Sequence, residues 1–260
     1  MKALSIAKLD EGVVNEDAVI AREGLIAVSD GAGGGGVFAD RWSKYLVEHL
    51  PNEPFADFET FDNWIDGIWE PFYDDCEELA KQEGGMLLNK FYDEGSFATL
   101  VAAWKDGQWM SFGDSVAFCY HQKTGKLQHS FSKLADFNNP PYLVNCKDPL
   151  DSKGFKSGKL ELDDDCIVFA ASDTLAHYIL MMYEVANKEE FAEELQIAIN
   201  AQTKNSNFIR TALSIKRIDF NEAFSILLRC IHHPYNFTRH LSALERRGLI
   251  ARDDYSIALL

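Results

Sequence analysis

Apolar positions along the chain follow two rhythms, one of strands and one of helices. Gly24-Leu-Ile-Ala-Val-Ser29 is a short run with β-branched residues between glycines, and it predicts a buried strand. Over 37–50 the period lengthens to that of a helix, with Trp42, Leu46 and Leu50 on one face. A second helical stretch, 61–82, carries Trp64, Ile65, Ile68, Trp69, Phe72 and Tyr73; its spacing marks a core stripe rather than a binding box. The rhythm then shortens. Segments 96–104, 108–112, 116–121 and 126–131 read as strands joined by Lys105-Asp-Gly107 and Lys123-Thr-Gly125, which predicts a β-meander. Residues 138–159, opening with Asn138-Asn-Pro-Pro141, read as a loop-like flap. A strand over 166–171 runs into Ser172-Asp173, helices follow over 174–187, 189–199 and 235–246, and 255–260 forms a terminal strand. Helices, then strands, then helices before a last strand imply an α+β fold of antiparallel sheets covered by helix pairs, within one domain over 1–260.

Composition narrows the function. The formal net charge is −16, from 25 Lys+Arg against 41 Asp+Glu. Such a surface repels nucleic acid and anionic membranes, so neither is expected as a partner. Five cysteines at irregular spacing, with no CxxC pair, read as small buried hydrophobes of a reducing compartment. Met1-Lys-Ala-Leu-Ser-Ile-Ala7 is too short an apolar stretch for a signal peptide, being cut by Lys8 and Asp10. No apolar run approaches the roughly 20 residues that span a bilayer. The expectation is a soluble cytoplasmic protein.

The candidate chemistry is acidic. Glu16 and Asp17 lead into Ala18-Val-Ile; Asp30 ends the first strand; Asp114 sits in Gly113-Asp-Ser115; Asp173 follows a strand; and Asp253-Asp254 precedes the last one. One carboxylate at a strand end is a common cap or turn former. Five such places, with no neighbouring His or Cys ligands, suit a hard cation such as Mg or Mn and argue against zinc.

Taken in order, Asn15-Glu-Asp17, Asp30-Gly-Ala-Gly-Gly34, Gly95-Ser with Ala98-Thr99, Gly113-Asp-Ser115, Ala171-Ser-Asp173 and Arg252-Asp-Asp254 resemble the motif series of the metal-dependent protein phosphatase 2C family. The resemblance spans nearly the whole chain. It implies a four-layer α-β-β-α sandwich, two central antiparallel sheets flanked by helix pairs. It also implies hydrolysis of phosphoserine or phosphothreonine on a protein substrate through a metal-bridging water. By position, Asp30 would bridge two Mg or Mn ions and the Gly31 carbonyl would bind one. Asp173 and Asp253 would complete the other shell, and Glu16 and Asp17 would hold coordinated waters. Asp114 would serve a weaker third site.

The chain departs from that pattern in places. Gly12 stands where the family carries a phosphate-binding arginine, with Lys8 as the nearby stand-in. Ala32, Val116 and Thr174 replace a usual His, Arg and Gly. The competing function is a catalytically weak phosphatase-like module that binds a partner. The glycine cluster also satisfies GxGxxG between a strand and a helix. Against dinucleotide binding, Asp30 would repel a pyrophosphate, and a second helix follows where a parallel strand should come. His232 and His233 lack ligand spacing and read as ordinary partly buried or surface residues. Asp74-Asp75, Asp151 and Asp163 to Asp165 read as solvated faces or caps.

Overall fold

The computed structural model describes residues 1–9, 12–34 and 36–260; Asp10, Glu11 and Gly35 of the glycine cluster lie outside the described residues. Its frame is a pair of antiparallel sheets. In chain order the strands are β1 (Lys2–Ile6), β2 (Ala18–Arg22), β3 (Leu25–Ser29), β4 (Phe97–Ala98), β5 (Leu100–Trp104) and β6 (Gln108–Phe112). They continue with β7 (Val116–His121), β8 (Lys126–His129), β9 (Val144–Asn145), β10 (Phe155–Lys159), β11 (Cys166–Ala171) and β12 (Tyr255–Leu259). One sheet runs β1-β12-β11-β7-β8 and the other β10-β6-β5-β3-β2, while β4 and β9 pair separately.

Alternation along the strands builds the layers. In β3, Ile26 and Val28 point between the sheets, where Val101, Ala103, Ala117, Cys119, Val168 and Ala170 meet them. These are mostly small residues, so the two sheets lie close. Leu25 and Ala27 point the other way, against Trp42, Leu46 and Phe61 of the covering helices. A run apolar on both faces is what a central strand needs, and it explains why Leu25–Ser29 shows no period of two.

Helices α1 (Ala39–His49), α2 (Phe58–Glu83) and α3 (Gly85–Glu94) lie on that side. Helix α2 starts in a capping box, Asp57 accepting from the Thr60 N–H and Thr60 Oγ1 accepting from the Asp57 N–H. On the other side lie α4 (Asp173–Ala186), α5 (Ala192–Asn200), α6 (Lys204–Leu213), α7 (Phe220–Ile231) and α8 (Pro234–Arg246). Phe118, Phe169, Tyr255 and Ile257 of the β1-β12-β11-β7-β8 sheet pack against them. The expected four layers are therefore present, with more helices on each outer face than a pair.

Two segments differ from the sequence expectation. The strands over 97–129 are no single meander: β5 and β6 form a hairpin in one sheet, β7 and β8 a hairpin in the other. The chain changes sheets at Gly113-Asp114-Ser115. Turn residues mark a reversal but do not say which strand receives the next one. The stretch 138–159 is not a flap, because β9 pairs with β4 and β10 pairs along all of β6. As a solvent-facing edge strand, Phe155-Lys-Ser-Gly-Lys159 lacks the apolar alternation that would betray it.

Candidate metal centre

Strand register gathers the acidic residues at one end of the sandwich. Ala18 lies opposite Ser29, so Asp17 and Asp30 emerge together. Leu100 lies opposite Phe112, and Asp114 follows in the crossover between sheets. In the second sheet Ala171 lies opposite both Val116 and Ile257, which brings Asp173 and Asp253 to the same rim. Five carboxylates from five separate segments, supplied by both sheets, thus face one region.

Their titration shows how strongly they feel one another. Burial pushes the Asp17 carboxyl up to about 8, helped by the charges of Asp173 and Asp254 and opposed by hydrogen bonds from Ser256 and Ser172. Asp30 lies well above the usual carboxylate range, first through burial and then through Asp17, Asp173 and Asp114; it also shares a hydrogen bond with Asp173. Asp114 is pushed to about 8 by burial and by Asp173, and Asp253 to about 6 by the same two causes. Glu16 is raised by burial, with Lys8 pulling the other way. The charge of Asp173 reaches Asp17, Asp30, Asp114 and Asp253 alike, which sets its carboxylate among the other four.

Neighbouring polar groups fix these carboxylates. Thr99 is the hub on one side: its N–H donates to the Asp30 carbonyl at 2.8 Å, its Oγ1 accepts from the Asp30 N–H at 3.3 Å, and its hydroxyl meets Ser115 Oγ at 2.7 Å. Asp254 is the hub on the other. Its two carboxylate oxygens accept the N–H groups of Lys8 and Glu16, each at 2.7 Å, tying the first acidic motif to the start of β12. Gly33 donates its N–H to the Glu16 carboxylate, and any Cβ there would collide with that carboxylate. Gly31 bridges to Ala98. Sequence reasoning missed the roles of Thr99 and Asp254. The signal for Asp254 was its place directly before an apolar terminal strand, where a buried acid can cap backbone from another segment.

The departures also have places in the structure. Thr174, where the family has glycine, donates its hydroxyl to Asp253 Oδ2 at 3.5 Å and its N–H to Asp173. Gly12 has φ +77°, a backbone conformation that favours glycine at the place where the family carries an arginine. The Lys8 charge lowers both Glu16 and Asp253, which puts its side chain at the acidic rim. The glycine cluster does not open a βαβ unit, since β3 pairs antiparallel with both β2 and β5. His232 and His233 are exposed between α7 and α8.

The donor set fits a hard divalent cation. It is all oxygen, Asp17 is buried with the others partly so, and among the described residues Asp17 Oδ2 has no hydrogen-bond partner. The side chains do not by themselves form a closed ligand shell: among the described residues no three His, Cys, Asp or Glu side chains are grouped so as to hold a metal ion. What unites them is burial and mutual charge.

No family model matches the chain, and no curated protein matches its sequence. Solved structures do. The chain is similar to the catalytic domain of the serine/threonine protein phosphatase PstP in complex with manganese, at 15% identity over 99% of this chain and 95% of that one, with a TM-score of 0.51. The Mycobacterium tuberculosis serine/threonine phosphatase PstP/Ppp gives the same 15% identity, 99% and 95% coverage and TM-score of 0.51. PppA, a key regulatory component of T6SS in Pseudomonas aeruginosa, is 17% identical over 99% of this chain and 94% of its own, with a TM-score of 0.50. At these identities the likeness establishes the fold, that of the protein phosphatase 2C sandwich.

Proposed function

We propose that the chain is a metal-dependent phosphoprotein phosphatase, a divergent protein phosphatase 2C-type enzyme that hydrolyses phosphoserine or phosphothreonine esters. The observation that carries this reading is the set of carboxylates Asp17, Asp30, Asp114 and Asp253, gathered from both sheets around Asp173 and raised by burial and by its charge. Burying that much like charge is costly unless cations neutralise it. In this reading Asp30, the Gly31 carbonyl, Asp173 and Asp253 hold two Mg or Mn ions, and Asp114 serves a weaker third. When bound, such ions supply the Lewis-acid charge that lets an ester be hydrolysed without a covalent phosphoenzyme.

The remaining work falls to the chain. Glu16 and Asp17 stand behind the inner carboxylates as proton-accepting and orienting groups, Asp17 being held by the hydroxyls of Ser172 and Ser256. Thr99 fixes the Asp30 backbone and, through Ser115, the Asp114 turn. Lys8 brings the positive charge that attracts the phosphate dianion, taking the part of the arginine absent at Gly12. Because both sheets furnish carboxylates, 1–260 acts as one catalytic unit. Five free cysteines support a reducing, cytoplasmic setting.

The turn at Gly12 also supports a second reading, a weakly catalytic module that binds a phosphorylated partner. Turnover separates the two. With Mn, the purified chain should hydrolyse a phosphothreonine peptide, excess chelator should abolish the reaction, and Asp30→Asn should remove essentially all of it. Full turnover in chelator would refute the metal-dependent reading. No turnover despite bound Mn would leave the binding module in its place.

A further inference from the structure

A cavity of ≈ 40 Å³ opens beside the acidic rim, lined by Asp173 and Thr174 at the start of α4, by His177 one turn further on, and by Asn205 and Phe208 of α6. Residues four apart on a helix share a face, so the fold of α4 presents Asp173 and His177 to the same space. His177 is buried, at 5% exposure, with its ring edge-on to Phe137 at 5.4 Å and near Phe208 at 6.3 Å. Among the described residues its Nε2 has no hydrogen-bond partner. An orphaned buried polar atom costs about 1–3 kcal/mol, so a group of this kind needs an explanation.

Two walls of the cavity say what would satisfy it. Asp173 lies in the mutual field of Asp17, Asp30, Asp114 and Asp253. Thr174 adds a hydroxyl tied to Asp253. Burial pushes the His177 imidazole down to about 4, so the ring is neutral at physiological pH. A carboxylate oxygen donor on one wall and an unpartnered imidazole nitrogen on the other are the pair of ligand atoms that a cation takes. The volume suits a single small occupant.

We propose that His177 is a nitrogen ligand for a divalent cation shared with Asp173, and that it biases this position toward manganese or a later first-row metal over magnesium. The inference rests on the reading that the acidic cluster binds divalent cations, and it adds to that all-oxygen set a donor of another kind. Imidazole is a good ligand for the borderline transition metals, whereas magnesium prefers oxygen and retains its water. Asp173 and His177 supply two donors; water completes such a shell.

The test is pulsed EPR on the full chain loaded with Mn, supported by calorimetric titration with Mn and with Mg. Wild-type protein should show nitrogen modulation from a directly bound imidazole. His177→Gln should still bind Mn but lose that modulation, and its Mn affinity should fall by about tenfold while Mg affinity is little changed. Should His177→Gln fold poorly, His177→Asp puts an oxygen donor at the same place and should likewise keep Mn without nitrogen modulation. Bound Mn with no nitrogen signal, or a signal unchanged in both variants, overturns the assignment of His177 and leaves the acidic cation site standing. Failure of the wild type to bind Mn at all overturns both.

Discussion

Asp17 and Asp114 have carboxyls held near 8, far above their value in an unfolded chain, and this gives metal-free protein a definite pH response. An acid raised on folding favours the folded state while it is protonated there. Its contribution is full below the unfolded value near 4 and is lost as pH rises through about 8. Without metal, melting temperature should therefore fall between pH 5 and pH 8.5, measured by calorimetry in chelator. Millimolar Mn should reverse the trend, its stabilising effect growing with pH because cation and protons compete for the same oxygens. A Mn-induced shift that is flat across this range would count against the cluster as a cation site. At Lys8 the expectation is kinetic: Lys8→Ala should raise KM for a phosphopeptide several-fold and leave kcat nearly unchanged. Gly12→Arg and Gly12→Ala should both cost about 1 kcal/mol of stability from the positive φ, a penalty that restoring a guanidinium does not remove.

The elements that carry the site were mostly legible, because strand ends with a carboxylate after an apolar run have a clear local signature. β3, β6, β7 and β11 lie where the apolar runs put them, and Trp42, Leu46 and Leu50 are all buried as their spacing requires. Pairing was less legible. Whether β7 lies beside β6 depends on contacts far away in the chain, and Gly113-Asp114-Ser115 carries no mark of a change of sheet. The stripe Phe220, Phe224, Leu227 and Ile231 gives α7 a plain helical period, and all four side chains are buried. At the site, the carboxylates could be picked out from sequence, whereas Asp254 as a backbone clamp and Thr99 as a hub exist only once distant segments meet. That clamp is testable. Asp254→Ala leaves the half-buried N–H groups of Lys8 and Glu16 without acceptors and should cost about 1–3 kcal/mol by urea unfolding, with weaker Mn binding. If stability falls by much less, β12 does not hold the first motif in this way.

At the scale of the whole molecule, two sheets packed through small residues bring carboxylates from both to one rim, and a helical layer on either side buries the outer faces. The core under α4 and α7 depends on stacked rings: Phe169 lies 4.8 Å from Phe118 and 4.9 Å from Phe224, fully buried. Phe169→Ala should cost about 3–5 kcal/mol, and it should weaken metal binding as well, because β11 delivers Asp173. The central claim is that this rim holds divalent ions at Asp30. Anomalous diffraction from a Mn-loaded crystal tests it most directly. Two peaks should lie against Asp30, one of them also against Asp173 and Asp253, and both should vanish in Asp30→Asn. Density for Mn elsewhere, with none at Asp30, would contradict it.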